Sequence, residues 1–313
     1  MESLLQGRLR NTHLPYNKGL IPLFEAVVNS IQSIEELNEG KDKPLSDYSI
    51  GVEIIRDTQQ VPLIKEDKRV SNSIESFRIT DNGIGFTENN WNSFSTLDSL
   101  WKVQKGCRGI GRLMWLKAFK RVEIDSSYLE GKNAKRRKFS FDAQQDVSDP
   151  DPSLQGITPT STTVLLDGFD SKFAASVHKT LETISTGLLE HCLWYFVREQ
   201  GVPTINISDG ADTTDLFELF GEHKHSSAMS ETVTIKDHEF EVTHVKFRPS
   251  KSKPHNLSYC AAGRLVKEEP IQNKIPGLSS TISDESGEFT YAAYITSSFL
   301  DERVFEQRNW IQY

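Results

Sequence analysis

Asp81-Asn82-Gly83-Ile84-Gly85-Phe86 is the stretch on which the fold turns. It follows Ser76-Phe77-Arg78-Ile79-Thr80, an alternating run that reads as a strand and stops at Asp81. Asp/Asn-Gly by itself is a hairpin-turn signal. A second glycine two residues later is more than a turn requires. It lets a flat ring lie close to the backbone, with the Asp81 carboxylate available to accept a hydrogen from an amino group.

Upstream, Leu20, Leu23, Phe24, Val27, Val28, Ile31, Ile34 and Leu37 recur at helical spacing, with Pro22 in the first turn, where proline is tolerated. Glu25 and Asn29 are four positions apart and share the face beside that apolar stripe. A carboxylate and an amide so placed can orient a water and ligate a hard cation. The same pair also suits the polar edge of an ordinary amphipathic helix. Downstream, Gly106-Cys107-Arg108-Gly109-Ile110-Gly111 precedes the helix-like Arg112–Phe119. Its spacing matches a P-loop, but Arg112-Leu113 stands where Lys-Ser/Thr is required, and a dinucleotide fingerprint would need a third glycine. What remains is a flexible backbone ahead of a helix N-terminus, ringed by Lys102, Lys105, Arg108 and Arg112, which suits a phosphate chain.

An ExxxN helix, a DxGxG turn after a strand, a glycine cluster before a helix and the threonine-rich Ser161-Thr162-Thr163-Val164 occur in that order. Together they resemble the GHKL ATPases, the superfamily of gyrase, the ninety-kilodalton heat-shock chaperone, histidine kinases and MutL. The resemblance spans about residues 15–200. It implies a Bergerat-type α/β sandwich, helices on one face of a mixed sheet, holding ATP with magnesium. Glu25 would be the general base and Asn29 a magnesium ligand. Asp81 would receive the adenine amino hydrogen, Gly83 and Gly85 would admit the nucleotide, and Thr163 would support adenine through water. Residues 102–112, including Gly109, Ile110 and Gly111, would form the lid and phosphate cradle. Where the family often has an aspartate three residues past Asn29, this chain has Gln32.

Beyond residue 200 the texture changes to strands between turns, which predicts an α+β chain of three parts. These are an irregular N-terminal arm (1–19) exchanged between protomers, the ATP-binding domain (20–200) and a smaller strand-rich transducer-like domain (201–313). In related branches a basic residue from the second domain reaches the γ-phosphate. Leu300-Asp301-Glu302-Arg303 through Arg308 resembles a stretch seen in chaperone-like members, as does Ala261-Ala262-Gly263-Arg264, so Arg308 is the expected sensor and Arg303 and Arg264 the alternatives. A sensor-kinase hairpin has no place in the residues before Glu25, where His13 sits in a loop-like segment. That favours a slow ATPase whose nucleotide state drives closure or homodimerisation. By analogy it would belong to a larger bacterial defence or genome-maintenance protein; the end Arg308–Tyr313, without a polar tail, suits a piece of a longer chain, a natural end being the alternative. A non-hydrolysing nucleotide-binding scaffold, or a DNA clamp of MutL or MORC type, are the other readings.

Composition narrows the classes. With 36 Lys and Arg against 44 Asp and Glu, the net charge of −8 argues against a general nucleic-acid coat. The local runs Lys117-Lys120-Arg121 and Lys132 with Lys135-Arg136-Arg137-Lys138 are the candidate contacts to DNA or RNA, and more often such runs are a solvated edge. Three scattered cysteines without a CxxC pair fit a reducing, cytoplasmic setting, and no apolar run is long enough for a membrane helix. His223 and His225 lack a third ligand nearby and read as a solvated loop.

Overall fold

The computed structural model describes residues 4–57, 73–95, 111–145, 147, 152–154, 159–223, 229–247, 254–261, 264–272, 274–278, 281–285 and 287–306. Lys102, Lys105, Cys107, Arg108, Gly109, Ile110, His225 and Arg308 lie outside these residues, as do the side chains of Arg112, His223 and Arg264.

The chain is α+β and divides into two compact units. In the first, α1 (Leu4–Asn11), α2 (Ile21–Asn38), β1 (Ser49–Arg56), β2 (Ile74–Asp81), α3 (Glu88–Ser95) and α4 (Gly111–Ala118) come first. They are followed by β3 (Phe119–Glu130), β4 (Asn133–Asp142), β5 (Ser153–Leu154), β6 (Ser161–Phe169), α5 (Ser171–Ser176), α6 (Leu181–Val197, whose residues from Leu193 belong to the second unit), β7 (Thr204–Asp209) and β8 (Asp212–Asp215). The eight strands form one sheet in the order β5-β4-β3-β6-β2-β1-β7-β8. Only β1 and β7 run parallel, so the sheet is mixed.

Alternation along the strands divides the two faces. Ile50, Val52 and Ile54, Phe77 and Ile79, Val122 and Ile124, and Val164 and Leu166 point to the buried face. Against it lie α2, on β1 and β2, and α4, on β3. The opposite face carries ion pairs, Glu53 with Arg78 and Asp125 with Arg136. The apolar stripe of α2 explains its place: Leu23, Val27, Ile31 and Ile34 are all fully buried, and Pro22 falls in the first turn as expected.

Three expectations are corrected. The N-terminal segment is not an irregular arm: Leu4–Asn11 is helical, Leu5 is 1% exposed, and α1 packs on α4 of its own chain. The boundary, expected near residues 200–230 with the first domain drawn to 200, falls inside that window but later than 200, since β7 pairs with β1 and β8 with β7. The first unit extends to Phe217. The third concerns the basic runs. Successive residues of β4 alternate between faces, so Arg137 is buried while Arg136 and Lys138 face solvent beside Asp125. Lys135 pairs with Glu130 and Arg121 with Glu123. A β-strand cannot aim four consecutive basic residues at one partner.

The second unit contains α7 (Leu216–His223) from Glu218 onward, together with β9 (Met229–Ile235), β10 (His238–Phe247), β11 (Asn256–Ala261) and β12 (Arg264–Pro270). β13 (Ile282–Asp284), β14 (Gly287–Thr296) and α8 (Ser298–Glu306) complete it. Its sheet runs β12-β11-β14-β10-β9, with β13 beside β14. Arg264 opens β12 opposite Ala261. Arg303 lies on α8 with its guanidinium 4.7 Å from the Phe299 ring. Among the described residues no helix is long and apolar enough to cross a membrane.

Candidate functional site

The turn after β2 is held from three sides. Ser30 of α2 donates its hydroxyl hydrogen to Asp81 Oδ2 at 2.7 Å, and the Gly83 N–H donates to Asp81 Oδ1 at 2.9 Å. Further along, the Ile84 N–H donates to the Ser33 carbonyl at 3.1 Å and the Gly85 N–H to Ser33 Oγ at 3.4 Å. From the β3 side, Ser126 Oγ accepts the Phe86 N–H at 3.0 Å. From α3, Asn90 Nδ2 donates to the Gly85 carbonyl at 3.0 Å. The loop is therefore ordered before any ligand arrives, which lowers the entropic cost of binding.

Both glycines are required, though by the chain itself. A Cβ on Gly83 would fall 2.3 Å from Ser33 Oγ and 2.8 Å from the Ser33 carbonyl carbon. Gly85 has φ +79°, and a Cβ there would meet Ser126 Oγ at 2.7 Å. The expected role of admitting a nucleotide is thus joined by a role in packing the loop on α2 and β3. Gly83→Ala is expected to push the loop off α2 and to cost about 1–3 kcal/mol of stability, as overpacking does. Urea unfolding checks this, and an unchanged midpoint refutes it.

Asp81 is 4% exposed. Burial pushes its carboxyl up from 3.8 to about 6, against the opposing hydrogen bonds from Ser30 and Gly83. The native carboxyl holds its proton to a higher pH than the unfolded one, so this group's contribution to stability is greatest below pH 3.8 and is lost as pH rises through 6. At neutral pH the ionised carboxylate costs up to about 3 kcal/mol, from 1.36 kcal/mol per pKa unit. Asn at this position keeps an acceptor for Gly83 and can bond Ser30. Asp81→Asn is therefore expected to raise the melting temperature of the ligand-free protein at pH 7.5, with the gain disappearing at pH 4. Equal shifts at both pH values would show that desolvation is not the cause.

The threonine strand needs a correction. In β6, Thr162 lies directly opposite Asp81 and Thr163 opposite Thr80. Directly opposed residues share a face, so Thr162 accompanies Asp81, while the Thr163 hydroxyl lies 3.2 Å from that of Thr80 on the other face. Thr162 is buried, with its hydroxyl 2.9 Å from Ser126 Oγ. Ser30, Ser33, Ser126 and Thr162 form a hydroxyl ring around the loop that the motifs did not reveal. All four lie far from the turn in sequence, so no local signal marks them.

Glu25 and Asn29 are placed on α2 as their spacing predicts, Glu25 partly buried and Asn29 exposed. The Glu25 carboxylate meets His191 of α6, with Oε1 3.3 Å from Nε2. This partner was invisible in the motif. Ser30 and Ser33 belong to the same helix, so the loop that carries Asp81 and the helix that carries Glu25 and Asn29 are one bonded piece. Gly111 begins α4. Among the described residues no group of three or more His, Cys, Asp or Glu side chains is placed to hold a metal ion. The side-chain oxygen of Asn29 is a hard donor suited to magnesium shared with phosphates and water.

A solved structure, the crystal structure of the ATPase region of Saccharomyces cerevisiae topoisomerase II, resembles this chain at 11% identity and a TM-score of 0.46. The superposition covers 90% of this chain and 72% of that one. No family model and no curated protein matches the sequence.

Proposed function

We propose that the first unit binds ATP with magnesium and hydrolyses it slowly, the nucleotide state driving closure or association of two copies. The observation that carries this reading is the buried Asp81 carboxylate fastened by Ser30 to the helix that bears Glu25 and Asn29. Each Asp81 oxygen accepts one hydrogen bond and keeps a lone pair. That is an acceptor-only surface for an adenine amino group, at a site already ordered. Asn29 would hold magnesium by its side-chain oxygen, and the ion supplies charge neutralisation to the phosphates when bound. Glu25 would take a proton from the attacking water. Positioning and charge stabilisation supply most of the rate in such transfers.

Titration calorimetry tests the recognition step. Asp81→Asn is expected to weaken ATP by about 1.5–3 kcal/mol, the loss of a charged hydrogen bond. Because Asp81 gains its proton near pH 6, wild-type affinity is also expected to fall below that pH. Unchanged affinity in Asp81→Asn rejects the adenine assignment. Turnover per protomer that rises with protein concentration is the result expected of association. Gln32, where a carboxylate is usual in the resembled family, favours a second reading, a nucleotide-binding scaffold without hydrolysis. ATP affinity without turnover would select it.

A further inference from the structure

We propose that His191 is the positioning residue for Glu25, so that the water-activating unit is a Glu25–His191 pair spanning two helices. The proposal rests on the reading of Glu25 as general base. Glu25 Oε1 lies 3.3 Å from His191 Nε2, with the two side chains 26% and 22% exposed. The contact is set up by packing. Gly187 stands one turn before His191 on the same face of α6, and a Cβ there would come within 3.2 Å of Phe24 Cζ. The missing side chain lets α6 lie close to α2, and the Phe24 and His191 rings then meet at 5.5 Å between centroids. A second group records the same proximity. The Cys192 thiol is pushed up by burial first and by the Glu25 charge second.

The chemical consequence follows from the carboxylate's two oxygens. The contact of Nε2 with Oε1 restrains the carboxylate and removes rotamers that a long glutamate side chain would otherwise sample. The transferred proton ends on Glu25, and His191 makes and breaks no bond. Its contribution is orientation, which such reactions reward strongly.

Two substitutions separate orientation from packing. His191→Phe keeps a ring against Phe24 and removes the polar contact with Glu25. His191→Gln loses the ring and keeps a donor on a side chain of similar reach. Steady-state ATP turnover and calorimetric ATP affinity are measured for both, and for Glu25→Ala alone and combined with His191→Phe. The expected result is a fall in kcat of about 10- to 100-fold in His191→Phe, typical of a misplaced reacting group. ATP affinity is expected to stay unchanged, kcat to be largely restored in His191→Gln, and His191→Phe to have no further effect once Glu25 is Ala. The reverse ranking, Phe active and Gln impaired, overturns the proposal in favour of packing alone. Equal losses with and without Glu25 overturn it as well. Glu25-dependent turnover that ignores His191 rejects this proposal and leaves the general base standing. Turnover that ignores Glu25 rejects both.

Discussion

Replacing Glu25 with Ala is expected to lower ATP turnover by about 10²–10⁴-fold, the usual contribution of a positioned general base. That is about 2.7–5.4 kcal/mol of transition-state stabilisation. The expectation follows from location. Glu25 is the carboxylate on the α2 face that also presents Asn29, and α2 is bonded through Ser30 and Ser33 to the Asp81 loop. A nucleotide held at Asp81 is thereby held in fixed relation to Glu25. ATP affinity should change little, since the bonds that order the Asp81 loop come from other residues. Glu25→Gln is the sharper variant. It preserves shape and can still meet His191, yet it cannot take a proton, so it should be as inactive as Ala. Steady-state assays with magnesium decide the matter. Turnover retained in both variants would refute the base assignment.

Arg137→Ala should destabilise the first unit by about 3 kcal/mol, the low end of the cost of breaking a buried charged contact. Arg137 is 1% exposed and lies between aromatic faces, its guanidinium 4.9 Å from the Trp91 ring centroid and 5.6 Å from that of Tyr128. Nη1 donates to the Phe86 carbonyl at 2.8 Å and the Thr87 carbonyl at 3.4 Å, and Nη2 to Glu88 Oε2 at 2.9 Å. Glu88 is 55% exposed, so water can solvate it after the loss. The Thr87 carbonyl keeps the Trp91 N–H at 2.8 Å, but the Phe86 carbonyl loses its Arg137 donor, and the vacated volume adds a cavity. The same residue closes the C-terminal side of the Asp81–Phe86 loop, so ATP affinity should fall along with stability. Arg137→Lys should recover little, because one ammonium group lacks the planar fork that serves three acceptors and stacks on Trp91. Chemical unfolding and calorimetry on the same samples check both parts. A midpoint within error of wild type would refute the clamp.

Much of the first unit was legible in its periods. The apolar recurrence from Leu20 to Leu37 is α2 (Ile21–Asn38), and alternation around Val52 and Phe77 and within 121–128, 136–142 and 161–167 marks segments that are strands. Residues 87–100 read as holding a short helix, and α3 (Glu88–Ser95) lies there. The stretch from Lys172 to about Glu199 reads as one long helix, whereas the chain breaks it between α5 (Ser171–Ser176) and α6 (Leu181–Val197). The candidate site was legible only in part. Glu25, Asn29 and Asp81 stand out because helix spacing and a turn after a strand are local signals. Thr162 and Thr163 were indistinguishable, because two adjacent threonines point to opposite faces and only the pairing register says which faces Asp81.

The sequence by itself determined the local elements: where α2 begins, which of its faces is apolar, that β2 ends in a glycine turn at Asp81, and that Glu25 and Asn29 share a face. These follow from side-chain period and turn chemistry acting within a few residues. Only the tertiary structure decided that β7 joins β1, that α1 packs on α4, and that Arg137 lies inside rather than on a basic surface. It also decided that Ser33 demands Gly83 and that His191 reaches Glu25. Each of these joins segments far apart in the chain. Such contacts are selected by the burial of whole faces and by strand register, quantities that no short window of sequence contains.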